Sequence, residues 1–164
     1  DGYVYAFEPS KNNLPFLKEN LKEEVNIEIV PYGLNEKNRK VSMYQGSDQN
    51  GATSKIVSNN IINNDKNQLF EIETFSGDYL IEQKGFKAPN FIKIDVEGYE
   101  YEVVAGLSNQ LKDNILKIIC IEMHFEEVAK RGFPNHPSLI VRMLQKHNFE
   151  VKWTDYSHII ASKI

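Results

Sequence analysis

Two rhythms of apolar and polar residues divide this chain into elements. Tyr3 to Glu8, "YVYAFE", is aromatic and β-branched and predicts a strand, after which Pro9 and Ser10 suit the start of a helix. From Lys11 to Glu24, Leu14, Phe16, Leu17 and Leu21 lie close to a 3.6-residue stripe with lysines and glutamates opposite, predicting a helix. Pro15 fits only if the first turn begins near Asn12 or Asn13. Asn26 to Asn35 predicts a strand broken by Pro31 and Gly33, and Lys40 to Gly46 a third. Leu69 to Ser76 is strand-like, Gly77 to Gln83 a short helix ended at Gly85, and "NFIKIDVEG" a strand. "YEYEVVAGLSNQLKD" predicts a helix with Val103, Val104, Leu107 and Leu111 on one side. Ile115 to His124, "ILKIICIEMH", is almost continuously apolar, as expected of a strand buried on both faces. A helix over Pro137 to His147 follows, and "FEVKWTD" and "HIIASKI", turned at Tyr156 and Ser157, form an antiparallel pair.

Between Ser47 and Gln68 neither rhythm is sustained, which predicts a long loop: a cover for a substrate, or an ordinary variable insertion. Elsewhere strands alternate with helices, so the expected fold class is α/β around a mostly parallel sheet. No repeat or linker splits the chain, and residues 1–164 are read as one domain. The chain opens on its first strand without an initiator methionine, which suggests that an upstream part is missing.

Composition narrows the classes. At 41% hydrophobic residues over 164 positions a core is within reach. A net charge of -4 without a basic run argues against nucleic-acid and anionic-membrane partners, and no apolar run approaches the roughly 18 residues of a membrane span. Cys120, alone in an apolar run, suits a small buried hydrophobe in a reducing compartment, so a cytoplasmic setting is expected.

In an open α/β sheet, ligands gather outside the carboxyl ends of the strands. Those ends carry Glu8 and Pro9; Tyr32, Gly33 and Leu34; Asp95, Glu97 and Gly98; and Glu122 and His124. Glu8 is placed either to accept two hydrogen bonds from a ribose diol or to cap the next helix. Asp95 and Glu97, two apart, share a face if extended; they would orient a substrate hydroxyl, take its proton or help bind a cation, or else merely flank a helix start. His124 suits a base near neutral pH, although a histidine at a strand exit is more often structural. No set of ligands shows metal spacing, and no metal is expected.

"VYAFEPSKNNLPFLKENL", "FIKIDVEGYEYEVVAG" and "IICIEMH", in this order, resemble the FkbM family of S-adenosylmethionine-dependent methyltransferases over nearly the whole chain. The resemblance implies a Rossmann-like class I methyltransferase fold, with helices on both faces of a mostly parallel sheet and an antiparallel pair of strands at the C-terminus. It implies that Glu8, with Pro9, meets the cofactor ribose, that Tyr32, Gly33 and Leu34 flank the adenine, and that Asp95 lies beside the transferred methyl group. Asp95, with Glu97 or His124 nearby, would orient the hydroxyl of a small-molecule or glycan acceptor and take its proton. The family's first strand and its glycine-rich turn precede the "AFEP" block and are not in this sequence; the strand would lie between those of Glu8 and Asp95, so its absence should leave their edges unpaired or force them together, and the fragment is expected to bind cofactor poorly. The alternative from another class is a non-catalytic nucleotide-binding or interaction module on the same fold.

Overall fold

The computed structural model describes residues 2–44, 55–56 and 69–164. It divides into two compact units, the first made of Asp1–Leu34 and Asn38–Phe75, the second of Asn35–Lys37 and Ser76–Ile164.

In the first unit, β1 (Val4–Phe7) pairs in parallel with β2 (Ile27–Val30), in register from Val4 opposite Ile27 to Phe7 opposite Val30. Between them runs α1 (Asn13–Asn20), whose start at Asn13 puts Pro15 in the first turn, where no intrahelical donor is lost. Leu14 and Leu17 are half-buried, but Phe16, counted in the predicted stripe, is exposed. Pro31 has no N–H for a ladder, and β2 stops before it. The segment predicted as one strand is therefore two: β3 (Gly33–Leu34) belongs to another sheet. In that sheet β6 (Leu69–Phe75) pairs in parallel with β3 and antiparallel with β4 (Arg39–Tyr44), and β4 also pairs antiparallel with β5 (Lys55–Ile56). β5 corrects the expectation of an unbroken loop from Ser47 to Gln68; the rest of that segment, and with it the expected substrate cover, lies outside the described residues.

The second unit holds a four-stranded sheet in the order β7 (Phe91–Ile94), β8 (Ile118–Glu122), β10 (His158–Lys163), β9 (Phe149–Trp153). β7 and β8 are parallel, and β10 is antiparallel to both β8 and β9, so the predicted C-terminal pair is present. Ile94, Ile119, Ile121, Ile159 and Ala161 point to one face and are at most 2% exposed. α5 (His136–Lys146) packs there through Ile140 and Leu144 beside Phe149. Burying each such side chain contributes on the order of 1.5–3 kcal/mol. Ile118, Phe91 and Ile160 are exposed on the other face. β8 is thus buried on one face only, contrary to what its apolar run suggested.

Ser76 caps α2 (Gly77–Lys84) by accepting from the Tyr79 N–H, and Gly85 ends it in the left-handed conformation. α3 (Glu100–Ala105) is much shorter than predicted. At Gly106 the backbone of Asn35 comes so close that a Cβ would lie 2.1 Å from its carbonyl oxygen, and the chain continues as turns with a 3-10 segment at Gln110–Lys112. α4 (Phe125–Lys130), directly after His124, was not expected.

The fold class is α/β, but the mostly parallel sheet with helices on both faces needs correction: among the described residues the strands form small, mixed sheets, with parallel pairing confined to β1 with β2, β3 with β6 and β7 with β8. Among the described residues β1 pairs only with β2 and β7 only with β8, so each has one unpaired edge. No described helix is long and apolar enough to cross a membrane.

Candidate active site

The residues singled out beyond β7 and β8 converge within the second unit. After Ile94 the chain turns through Glu97 at φ 51° and Gly98 at φ 90°, both in the left-handed region. A side chain at Gly98 would also meet Glu127, whose Cβ would lie 2.8 Å from the added carbon. The turn is held on both sides of Gly98: its N–H donates to Glu100 Oε1 at 2.8 Å, and its carbonyl accepts from Arg131 Nη1. Arg131 is itself paired with Glu102 and lies over the Tyr99 ring, 3.5 Å from its centroid.

Glu100 makes a second contact through the same oxygen. His124 Nδ1 lies 2.7 Å from Glu100 Oε1, and the Glu100 side chain is 1% exposed. An acceptor-only carboxylate at Nδ1 places the ring proton of a neutral imidazole there, leaving the Nε2 lone pair free. Nε2 faces Asp95 Oδ1 at 3.8 Å and Glu97 Oε1 at 3.7 Å. The three residues named from sequence, Asp95, Glu97 and His124, are therefore brought together. Glu100, which organises them, was missed, because at the start of a predicted helix an acid has the ordinary role of complementing the helix dipole. Its only trace in the sequence is its place in "DVEGYE", two residues after the glycine of the turn.

Lys93 Nζ lies 3.6 Å from Asp95 Oδ2 and 3.8 Å from Glu122 Oε2. His158 Nε2 approaches Glu122 from the other side, at 3.2 Å. His158 Nδ1 contacts Asp155 at 3.0 Å, and this hydrogen bond holds the His158 pKa above its ordinary value. Asp155 is lowered to about 2, chiefly by the backbone N–H of Ser157 and then by His158. One ligand atom from each of Asp95, Glu122 and His124 lies within 4.8 Å of the others, a set able to hold a divalent cation. Lys93 already brings a positive charge to both carboxylates of that set, so the cluster has a cation of its own.

The residues expected at the cofactor lie in the first unit. Glu8 Oε1 accepts from the Ser10 N–H at 2.7 Å and Oε2 from the Asn13 amide at 3.2 Å, so the carboxylate does tie down the entrance to α1. A carboxylate has about four acceptor positions, so two donors leave room for a vicinal diol, and the residue fits both roles. Gly33 is buried against Pro9 and Thr74: a Cβ there would come within 3.0 Å of the Thr74 methyl and 3.7 Å of the Pro9 Cβ, so the Thr74 side chain would have to give way. Tyr32 packs edge-on against Phe75 at 4.9 Å, and Leu34 lies in β3, half-buried.

Over residues 1–151 the chain matches the family model described as the methyltransferase FkbM domain. A hexuronic acid methyltransferase, AglP, from Haloferax volcanii is 30% identical over 123 residues, covering 74% of this chain and 47% of the relative. The chain thus spans about half the length of that curated relative. The crystal structure of a methyltransferase FkbM from Methylobacillus flagellatus KT has a TM-score of 0.59 to this one at 16% identity, covering 98% of this chain and 36% of the other. At that identity the likeness is one of fold.

Proposed function

The chain belongs to the methyltransferase FkbM domain family, and we propose that it transfers a methyl group from S-adenosylmethionine to a hydroxyl oxygen of a sugar-like acceptor, with His124 as the base. The acceptor class is suggested by the relative named for hexuronic acid. The observation that carries the chemistry is the 2.7 Å contact of His124 Nδ1 with buried Glu100, which turns Nε2 toward Asp95 and Glu97.

S-adenosylmethionine, when bound, supplies a methyl group made electrophilic by its sulfonium. Glu8 would hold its ribose hydroxyls through the free acceptor positions of the carboxylate, with Pro9, Tyr32, Gly33 and Leu34 contributing the rest of that surface. An alcohol becomes a competent nucleophile by losing its proton as the new bond forms. His124 Nε2 accepts that proton. Asp95 and Glu97 lie close enough to orient the hydroxyl and to take up part of the charge that develops on the ring. Glu100 keeps Nδ1 protonated, so the accepting nitrogen is always the one facing the acceptor. The base role expected for Asp95 thus passes to His124, and Asp95 becomes an orienting group.

The test is methyl transfer to methyl β-D-glucuronide by wild type and His124→Ala, with cofactor binding measured separately by calorimetry. We expect the substitution to lower kcat by about a hundredfold or more while leaving the cofactor affinity within a factor of two. Unchanged turnover in His124→Ala would exclude the base role, and loss of cofactor binding in Glu8→Ala would support the ribose contact.

A further inference from the structure

We propose that Lys93 is a catalytic residue: its ammonium is the cation of the site, standing where a divalent metal would, and it donates to a second oxygen of the acceptor beside the hydroxyl that His124 deprotonates. The inference rests on the methyl-transfer reading for the reaction but not for the contact with the acceptor.

In the parallel β7–β8 ladder Lys93 stands opposite Cys120, so Glu122, two residues further on, shares its face, the more open one. The ammonium lies 3.6 Å from Asp95 Oδ2 and 3.8 Å from Glu122 Oε2. Those two carboxylates and His124 are the set whose ligand atoms fall within 4.8 Å of one another. At 3.6 and 3.8 Å neither contact of Lys93 is a hydrogen bond. Among the described residues its one hydrogen bond goes to the Ile94 carbonyl, at 3.4 Å, so an ammonium with three donors keeps two for a ligand. The side chain is 45% exposed and open to one.

Asp95 relates this cation to the base. It turns Oδ1 to His124 Nε2, at 3.8 Å, and Oδ2 to Lys93 Nζ. A hydroxyl lying about 2.8 Å from both Nζ and Oδ2 accepts from the first and donates to the second. The adjacent hydroxyl of the same sugar ring is thereby carried to the Oδ1 side, where it meets Nε2. That oxygen gives its proton to His124 Nε2 and its electron pair to the methyl carbon, whose bond to sulfur breaks with the pair left on sulfur. Lys93 keeps its protons throughout.

Charge gives the reason for a cation here. Asp95, Glu97, Glu100 and Glu122 gather around His124, and among the described residues Lys93 is the sole lysine or arginine in an ion pair with any of them; His158 meets Glu122 alone. As the proton leaves, the acceptor oxygen gains negative charge beside these carboxylates, and a fixed ammonium offsets the repulsion. A divalent ion on the same carboxylates would lie next to the ammonium and be repelled by it.

The test compares wild type with Lys93→Met, which keeps the length of the side chain and drops its charge, and with Lys93→Arg, which keeps the charge. Binding of methyl β-D-glucuronide and of the neutral methyl β-D-glucopyranoside is measured by calorimetry, and methyl transfer is measured in EDTA. We expect both glycosides to bind about tenfold more weakly to Lys93→Met, Lys93→Arg to bind better than Lys93→Met, and kcat in Lys93→Met to fall about a hundredfold. EDTA should leave wild type unchanged, and Mn²⁺ titrated onto wild type should show no saturable binding that Asp95→Asn removes. Such Mn²⁺ binding, or turnover abolished by EDTA, overturns the built-in cation. Glycoside binding unchanged in Lys93→Met, equally weak in the methionine and arginine variants, or absent from wild type overturns the contact. A loss confined to the glucuronide assigns Lys93 to the carboxylate of that ligand and overturns the contact with a hydroxyl. Lys93-dependent binding of both glycosides without methyl transfer sustains the contact and overturns the proposed reaction. Methyl transfer that Lys93→Met leaves at the wild-type rate keeps the reaction and overturns the role of Lys93.

Discussion

Glu100 and His124 meet at 2.7 Å, and the carboxylate oxygen that touches the imidazole also receives the Gly98 N–H at 2.8 Å. One buried atom thus fixes both the direction of the ring and the position of the backbone turn that carries Glu97. Such a bond sets which imidazole nitrogen carries the proton, and removing the charge should affect chemistry before it affects folding.

Glu100→Gln keeps the size of the side chain and an oxygen for both the Nδ1 and the Gly98 donors, but removes the charge that stabilises the imidazolium formed when Nε2 takes a proton. We expect turnover to fall by about a hundredfold, with cofactor affinity, measured by calorimetry, within a factor of two of wild type. Equal losses of turnover and cofactor affinity would mean that Glu100 supports the fold alone.

Arg131 and Glu102 form a pair whose side chains are 12% and 9% exposed, and Arg131 also reaches the Gly98 carbonyl. Truncating Arg131→Ala strands a carboxylate away from water, and urea denaturation should show a loss of about 3 kcal/mol or more. Adding Glu102→Gln to that variant should recover part of the loss. No recovery in the double variant would place the effect in the stacking on Tyr99 instead.

Adding one carbon at Gly106 or Gly98 should be felt in different ways. At Gly106 the obstruction is backbone, the Asn35 carbonyl at 2.1 Å, and it cannot swing aside. Gly98→Ala meets the Glu127 Cβ at 2.8 Å and also needs φ 90°. Each should lower stability by about 1–3 kcal/mol, but only Gly98→Ala should also reduce turnover, since only that position belongs to the turn beside His124.

His158 titrates high because Asp155, and more weakly Glu122, favour its charged form. A raised histidine pKa stabilises the folded state fully below the ordinary value of 6.5 and ceases to do so as pH rises through the folded value. For Asp155, lowered from 3.8 to about 2, the contribution is present above 3.8 and disappears as pH falls through about 2. The hairpin ion pair is therefore fully effective between the two ordinary values, 3.8 and 6.5. Asp155→Asn should move the His158 midpoint, followed by NMR, downward; a midpoint that stays in place would assign the shift to Glu122.

Much of the fold was legible in the sequence because period and punctuation agreed. Pro31 and Gly85 stop β2 and α2 by removing a donor and by taking up the left-handed conformation, which are local effects. What escaped was set by distant contacts. α3 stops at Gly106, a position kept free of a side chain by the backbone of Asn35, some 70 residues away in sequence, and a helical period running on to Leu111 gave no warning of either. α4 is too short for a period to be recognised. Asp95, Glu97 and His124 could be found as acids and a histidine at strand ends, a rule about topology. Glu100 and Arg131 could not, because their roles depend on which atoms they reach across the fold, and no spacing encodes that.

The one-sided burial of β8 divides its residues into two histories. Ile119 and Ile121 are at most 1% exposed, while Ile118, Cys120 and Glu122 point to the more open face. Substitutions should therefore be accepted and refused alternately along the strand. Positions 119 and 121 are held to a narrow range of apolar volumes, whereas 118 and 120 can drift. Glu122 shares the permissive face but is restrained by Lys93 and His158. A stretch that reads as uniformly greasy is thus, to selection, a strand of period two that ends in a residue kept for its charge.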